Sequence, residues 1–81
     1  MRTPATPGDD DLRSLSPRER RVVELASRGL TNRQAAAELG LTVHAVKFHL
    51  ASVYRKLGVA NRTEASRLFL LSHSANADRR V

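Results

Sequence analysis

The sequence predicts an all-α fold, a four-helix bundle whose second and third helices form a helix-turn-helix. Three observations support this prediction. Residues that favour helix N-caps precede four stretches of helical character, and a glycine follows three of these stretches. No alternation of apolar and polar residues extends far enough to predict a strand. The 81 residues provide material for one small domain.

The two ends of the chain have compositions that do not favour a packed structure. Residues 1–14 contain two prolines, a glycine and a run of three aspartates, with very little to bury. We therefore predict a disordered arm or linker over 1–14, a folded domain over 15–73 and a disordered tail over 74–81. The linker-like start favours a domain excised from a longer chain over a complete small protein.

The first predicted helix covers residues 17–28. Ser16 and Glu19 stand three positions apart, as in a capping box, in which each side chain bonds to the backbone N–H of the other residue. Pro17 occupies the first helical position, where a missing N–H is tolerated. Gly29 follows the helix, at a position that favours a left-handed residue.

The second predicted helix is short and covers residues 32–39. Thr31 and Gln34 repeat the capping-box spacing, and Gly40 provides the stop. This helix is barely two turns long.

The third predicted helix covers residues 43–57, with Thr42 as its N-cap and Gly58 after its end. Only the residues from Gly40 to Thr42 separate it from helix two. A short helix, a glycine-containing turn and a second helix are the signature of a helix-turn-helix, although other small helical bundles share this spacing.

The fourth predicted helix covers residues 64–72, with Thr63 as its N-cap. It contains four consecutive large apolar residues, which are Leu68, Phe69, Leu70 and Leu71. A helix this short cannot direct all four side chains into one small core, so at least one stays exposed or meets a second copy. We predict a dimer contact through Leu68 and Leu71; the alternative is a loosely buried terminal helix.

Helix three divides into two faces at about 100° per residue. The core face comprises Val46, Leu50, Val53 and Leu57. The opposite face collects His44, Lys47, Phe48, Ala51 and Arg55. Phe48 is unusual there, because a large ring among polar neighbours gains little unless something covers it. It either caps a neighbouring helix at the edge of the core or enters a DNA major groove and meets a thymine methyl group.

The charge of the chain favours an anionic partner. The net charge is +6, and twelve of the fourteen basic residues are arginine. The simplest partner for such an excess is nucleic acid, with a solubilising surface as the alternative. Lys47 is placed to bond guanine or a phosphate, while Arg55 and Lys56, a turn further on, are better placed for the DNA backbone.

Several other classes of protein are disfavoured by the residues present. The absence of cysteine excludes disulfides, cysteine-bound metals and a thiol nucleophile. His44 and His49 lie about 140° apart on a helix, which does not suit a shared metal. No catalytic constellation is evident, so we expect neither an enzyme nor a cofactor or metal. No stretch resembles a membrane span or a signal peptide, and we expect a cytoplasmic protein.

Six short stretches, in order and at family spacing, carry a family resemblance: Leu15-Ser16-Pro17-Arg18-Glu19-Arg20, Gly29-Leu30-Thr31-Asn32-Arg33-Gln34, Leu39-Gly40-Leu41-Thr42, Val46-Lys47 with His49, Lys56-Leu57-Gly58-Val59, and Asn61-Arg62-Thr63-Glu64-Ala65. On these residues, the segment from 15 to about 71 resembles the LuxR-type (FixJ/NarL-type) helix-turn-helix domain of bacterial transcription regulators, including response regulators. The resemblance implies a sequence-specific DNA-binding regulator, with residues 43–57 as the recognition helix in the major groove.

The resemblance also implies a set of contacts. Base contacts would come from Lys47, Phe48 and Ala51. Phosphate contacts would come from Thr31, Asn32, Thr42 and Lys56. With the exposed face of helix three, the predicted DNA-binding set is Thr31, Asn32, Thr42, His44, Lys47, Phe48, Ala51, Arg55 and Lys56. The implied partners are double-stranded DNA, a second copy bound through residues 64–72, and RNA polymerase as a further candidate.

Two alternative functions remain open at this point. The last, promoter-binding domain of a sigma factor shares the Gly-Leu-Thr and Val-Lys features, although the stretch from Asn61 to Ala65 and a fourth helix argue against it. A protein-interaction module that uses its basic face on an acidic protein is the second. Such a module would bind duplex DNA weakly and without sequence preference.

Overall fold

The computed structural model describes residues 12–79, with side chains described over 12–72. Four α-helices follow a short segment at residues 12–15 that begins in helical conformation and ends in a turn. They are α1 (Pro17–Ser27), α2 (Asn32–Leu39), α3 (Val43–Leu57) and α4 (Arg62–Arg79). No strand occurs within this range. The all-α prediction with four helices is therefore confirmed, while the disorder predicted for residues 1–11 lies outside the described residues.

The predicted capping boxes of α1 and α2 are both formed. Ser16 Oγ accepts from the Glu19 N–H at 3.1 Å, and Glu19 Oε1 accepts from the Ser16 N–H at 2.8 Å. Thr31 and Gln34 make the equivalent pair at 3.1 and 2.8 Å. These bonds satisfy backbone N–H groups that the first turn of a helix leaves without partners.

The helix-turn-helix is formed by α2, the turn and α3, as predicted. Gly40 ends α2 in the left-handed conformation, with φ of 68°. Thr42 Oγ1 then accepts from the Ala45 N–H at 3.0 Å and begins α3. Gly58 ends α3 with φ of 69°. A glycine at each of these positions avoids the steric penalty that a side chain meets at positive φ.

The bounds of α4 differ from the predicted 64–72. The helix begins at Arg62, because Asn61 rather than Thr63 caps it: Asn61 Oδ1 accepts from the Glu64 N–H at 3.0 Å. The backbone stays helical to Arg79, through part of the tail predicted to be disordered. Although α4 is the longest helix, neither it nor any other helix in the described residues is long and apolar enough to cross a membrane.

The core consists of two clusters that share α1 and α3. The first joins the N-terminal turn and α4 to these helices and contains Leu12, Leu15, Val23, Val53, Leu57, Ala65 and Phe69. The second joins α2 to them and contains Val22, Leu25, Ala26, Ala35, Ala36, Val46 and Leu50. Tyr54 packs against both clusters. The second cluster therefore holds the first half of α3 and the first cluster holds its second half, which together fix the orientation of the helix.

Packing begins three residues before the predicted start of the folded part at Leu15. Leu12 is buried, with 4% of its surface exposed. Its carbonyl accepts from Arg20 Nη2 at 2.9 Å and from the Leu15 N–H at 3.3 Å. The turn that precedes α1 is thus part of the folded unit.

Candidate nucleic-acid interface

Helix α3 presents the two faces that its sequence predicts. The four residues of the core face are each no more than 5% exposed. The residues predicted to face DNA are exposed, namely His44, Lys47, Phe48, Ala51, Arg55 and Lys56. Since both core clusters hold the buried side, the exposed side is a fixed convex surface of the width that a major groove accepts.

Phe48 lies at the centre of this surface with 68% of its area exposed. Its ring meets the edge of the His49 ring, with centroids 5.8 Å apart and the planes at 71°. The side chain therefore does not cap the edge of the core, which was the first of its two alternatives. An apolar ring this exposed on a rigid helix is typical of a surface that another molecule covers.

The electrostatics of the same surface favour an anion. Helix α3 contains no acidic residue, and residues 12–72 carry eleven Lys and Arg against four Glu. Two of these glutamates lie near arginines. Glu24 contacts Arg21 and Arg28 at 3.0 and 2.7 Å, and Glu38 lies 4.0 Å from Arg21. Glu19 pairs with Lys56, Glu64 bonds the Ala60 N–H, and no ion pair described for residues 12–72 includes Lys47. The exposed face of α3 therefore carries positive charge.

The N-caps of α2 and α3 add two further groups. Thr31 and Thr42 are exposed, and each hydroxyl oxygen accepts a backbone N–H, which leaves the hydroxyl hydrogen available to donate. The N-terminus of a helix also carries partial positive charge. Both caps are thus suited to a phosphate oxygen.

Asn32 is held in place by Arg62, a residue that sequence reasoning did not include in the site. Arg62 Nη1 donates to Asn32 Oδ1 at 3.0 Å, and Nη2 donates to the Leu30 carbonyl. With its oxygen occupied, Asn32 keeps its amide N–H groups for a ligand. No periodicity links two polar residues thirty positions apart, so the sequence contained no signal for this pair.

Lys56 differs from Lys47 and Arg55 of the predicted DNA-binding set, because its ammonium group forms an ion pair with a carboxylate of the protein. Its Nζ donates to Glu19 Oε1 at 2.9 Å and to the Ser14 carbonyl at 3.3 Å. Arg55, its neighbour, makes only a long contact of 3.5 Å with Ser52 Oγ among the bonds described for it. Arg55 is therefore freer than Lys56 to reach a phosphate.

Glu19 lies beneath Lys56 and is only 7% exposed. Besides the Ser16 N–H and Lys56, it accepts a hydrogen bond from the Ser52 hydroxyl at 2.6 Å. Burial alone would raise the pKa of this carboxyl, but the hydrogen bonds from Ser52, Ser16 and Lys56 outweigh burial and lower the pKa to about 2. Glu19 is thus a buried carboxylate that stays ionised.

The two leucines predicted for dimerisation occupy different environments. Leu68 packs against the first core cluster, whereas Leu71 is 60% exposed. Leu70, which was not in the predicted pair, is 48% exposed. Leu70 and Leu71 line an open groove of about 600 Å³ between the end of α1 and α4. The exposed apolar surface of α4 is therefore centred on Leu70 and Leu71.

Metal-binding groups are not gathered in the part of the chain whose side chains are described. No three His, Cys, Asp or Glu residues there lie close enough to hold an ion. His44 is exposed, while His49 is half-buried beside Phe48.

The chain is similar in sequence to known bacterial regulatory proteins. Residues 13–69 match the family model of bacterial regulatory proteins of the luxR family. The chain is 46% identical over 56 residues to a probable transcriptional regulatory protein, SgaR, of Hyphomicrobium methylovorum, covering 69% of the chain and 26% of that protein. It is 39% identical over 69 residues to the putative HTH-type transcriptional regulator YhjB of Escherichia coli, covering 83% and 34% respectively.

A third relative is the two-component response regulator PprB of Pseudomonas aeruginosa, 48% identical over 50 residues, which are 62% of the chain and 18% of PprB. The chain spans about a third or less of the length of these three relatives. No solved structure gave a significant match.

Proposed function

The chain belongs to the luxR family of bacterial regulatory proteins, and we propose that it binds a specific duplex DNA sequence with α3 in the major groove, as the effector part of a transcription regulator. The observation that carries this proposal is the exposed face of α3, where Phe48 is 68% exposed beside Lys47 and no acidic residue is present. The role is one of binding, without a catalysed reaction.

We assign base contacts to Lys47, Phe48 and Ala51, which follow one another along the exposed face. Lys47 supplies a donor for guanine O6 and N7, and Phe48 supplies an apolar surface for a thymine methyl group. Ala51 is small, so it permits close approach of the helix. His44, one turn before Phe48, lies at the end of α3 that enters the groove first.

We assign phosphate contacts to groups around the edge of this face. Thr31 and Thr42 would donate their hydroxyl hydrogens, and Asn32 would donate through the amide that Arg62 orients. Arg55 would reach the backbone from the other end of α3. Contacts of this kind fix the register of a protein on DNA without reading its sequence.

We also propose that two copies bind together through α4. The apolar pair Leu70 and Leu71 is exposed, and a two-fold contact between two such surfaces would cover both. RNA polymerase is the second protein partner we propose, since a regulator bound near a promoter acts on the enzyme that transcribes from it.

The test is selection from a random duplex pool at moderate salt, followed by sequencing of the retained DNA. An enriched motif with two related half-sites is the expected result. Salt-sensitive retention without a motif would contradict sequence-specific binding by this chain and would favour the protein-interaction alternative. A motif confined to promoter elements would favour the sigma-factor alternative, which the family match disfavours.

A further inference from the structure

We propose that Lys56 acts in DNA binding as a positioning residue, which holds the end of α3 through Glu19, rather than as a phosphate ligand. The proposal rests on the proposed function, because it concerns how α3 is presented to DNA. It changes the role that the family resemblance implies for Lys56.

The hydrogen bonds of the Lys56 ammonium group favour a positioning role. An ammonium group has three N–H donors. Two of those in Lys56 are directed inward, to Glu19 Oε1 at 2.9 Å and to the Ser14 carbonyl at 3.3 Å. A phosphate that recruited Lys56 by moving it outward would break both bonds and leave Glu19 with one partner fewer in a buried site.

The charge of Lys56 is partly balanced by a neighbouring carboxylate. The Glu19 carboxylate and the Lys56 ammonium form an ion pair, with side chains 9% and 37% exposed. The carboxylate partly offsets the charge of the ammonium group, so Lys56 attracts DNA less than an unpaired cation would. Arg55 precedes it on the same helix and has no ion pair in the described residues. Arg55 is therefore the residue at this end of α3 that attracts a phosphate.

The Glu19 side chain lies between α1 and α3 and joins the two helices. Its Oε2 accepts from Ser52 of α3, and its Oε1 accepts from Lys56 one turn further along the same helix. Because Glu19 also caps α1, the three residues join the start of α1 to the last turns of α3. Loss of Lys56 would leave a buried carboxylate short of a partner and allow that end of α3 to shift.

The experiment measures affinity of the full chain for a duplex from the selected pool, and for a random duplex of equal length, over a range of salt concentrations. The variants are Lys56→Met, Lys56→Gln, Glu19→Gln and, as a matched control, Arg55→Gln. Circular dichroism first identifies a temperature at which each variant is folded. Lys56→Gln retains donors toward Glu19, so it provides a second route if Lys56→Met does not fold.

We expect Lys56→Met to weaken binding to the selected duplex by about five- to tenfold with an unchanged slope of log affinity against log salt. Lys56→Gln should be weakened less. Glu19→Gln should also weaken binding, although removal of a negative charge near DNA would strengthen it by electrostatics alone. Arg55→Gln should reduce the slope by about 0.9, the value for one phosphate contact on B-DNA.

A slope reduced by about 0.9 in both Lys56 variants, with Glu19→Gln binding as well as the unaltered chain or better, would overturn the positioning role and restore Lys56 as a phosphate ligand. That result leaves the proposed function intact. Failure of the unaltered chain to bind either duplex in a salt-sensitive manner would instead overturn the proposed function, and the positioning role with it.

Discussion

The hydroxyl of Ser52 donates to Glu19 Oε2 across 2.6 Å, and this bond joins two helices through residues 33 positions apart in the chain. Both residues are buried, each with 7% of its surface exposed. A polar pair buried at the contact of α1 and α3 favours one relative arrangement of these helices, since another arrangement would cost Glu19 Oε2 its donor.

Replacement of Ser52 by alanine should destabilise the fold by about 1–3 kcal/mol, because Glu19 Oε2 would lose its donor in a buried site. Denaturant unfolding followed by circular dichroism measures the change. Ser66→Ala, at a half-buried position of α4, is the matched control and should change stability by less. Equal effects of the two substitutions would show that the bond to Glu19 contributes nothing.

Acid should destabilise the protein partly through Glu19. Its folded-state pKa, about 2, lies below the usual value of 4.5. Its contribution to stability is therefore fully present above about pH 4.5 and is lost as pH falls toward 2. The free energy of unfolding, measured from pH 6 to pH 2, should fall more steeply for the unaltered chain than for Glu19→Gln. Parallel curves would assign the acid sensitivity to other carboxyl groups.

Replacement of Phe48 by alanine should reduce preference for the selected DNA while stability changes by no more than about 0.5 kcal/mol, since the ring is mostly exposed. Lys47→Ala should do the same. Competition between selected and random duplexes measures the preference. An equal loss of affinity for both duplexes would mean that these residues contact only the backbone, and a large loss of stability would mean that Phe48 packs on the fold.

Self-association should depend on the exposed leucines of α4. Leu71→Glu should weaken it without loss of stability, because Leu71 is 60% exposed. Leu68→Glu should lower stability as well, because Leu68 packs against the core. Sedimentation at several concentrations tests this, with Ala37→Glu on the exposed side of α2 as the charge control. A monomer at every concentration, both free and on DNA, would show that α4 does not mediate self-association.

The turn of the helix-turn-helix should be sensitive to Gly40. A Cβ at this position meets nothing within 4 Å, so the effect of Gly40→Ala arises from φ of 68° alone. The expected cost is about 1–2 kcal/mol. Gly40→Asn should be milder, since asparagine tolerates the left-handed conformation better than alanine. If thermal unfolding does not distinguish the two variants, strain at φ is not the cause.

Capping and stop residues predicted a helix end correctly where only one candidate residue was present at that end. Both ends of α2 and α3 were correct, because Thr31 and Thr42 act as caps and Gly40 and Gly58 as stops. At the start of α4, two residues that can cap compete, and Asn61 forms the cap in place of Thr63. Asparagine is the better N-cap of the two, which agrees with the observed start of α4.

The candidate site also combines features that the sequence predicted with features that only the structure revealed. The exposed face of α3, including Phe48, follows from helical periodicity alone. The pair of Glu19 with Ser52 and the pair of Arg62 with Asn32 depend on how helices meet in three dimensions. Polar contacts at that sequence separation leave no periodic trace, so the second partner of each pair was found only in the structure.

The turn at residues 12–15 has a mechanical consequence. Arg20 of α1 donates a hydrogen bond to the Leu12 carbonyl, and Lys56 of α3 donates one to the Ser14 carbonyl. The Leu12 side chain is also buried. A polypeptide entering through residue 12 is therefore anchored to both helices and cannot swivel freely at this point. Torque applied from the N-terminal side would therefore be transmitted to the end of α3.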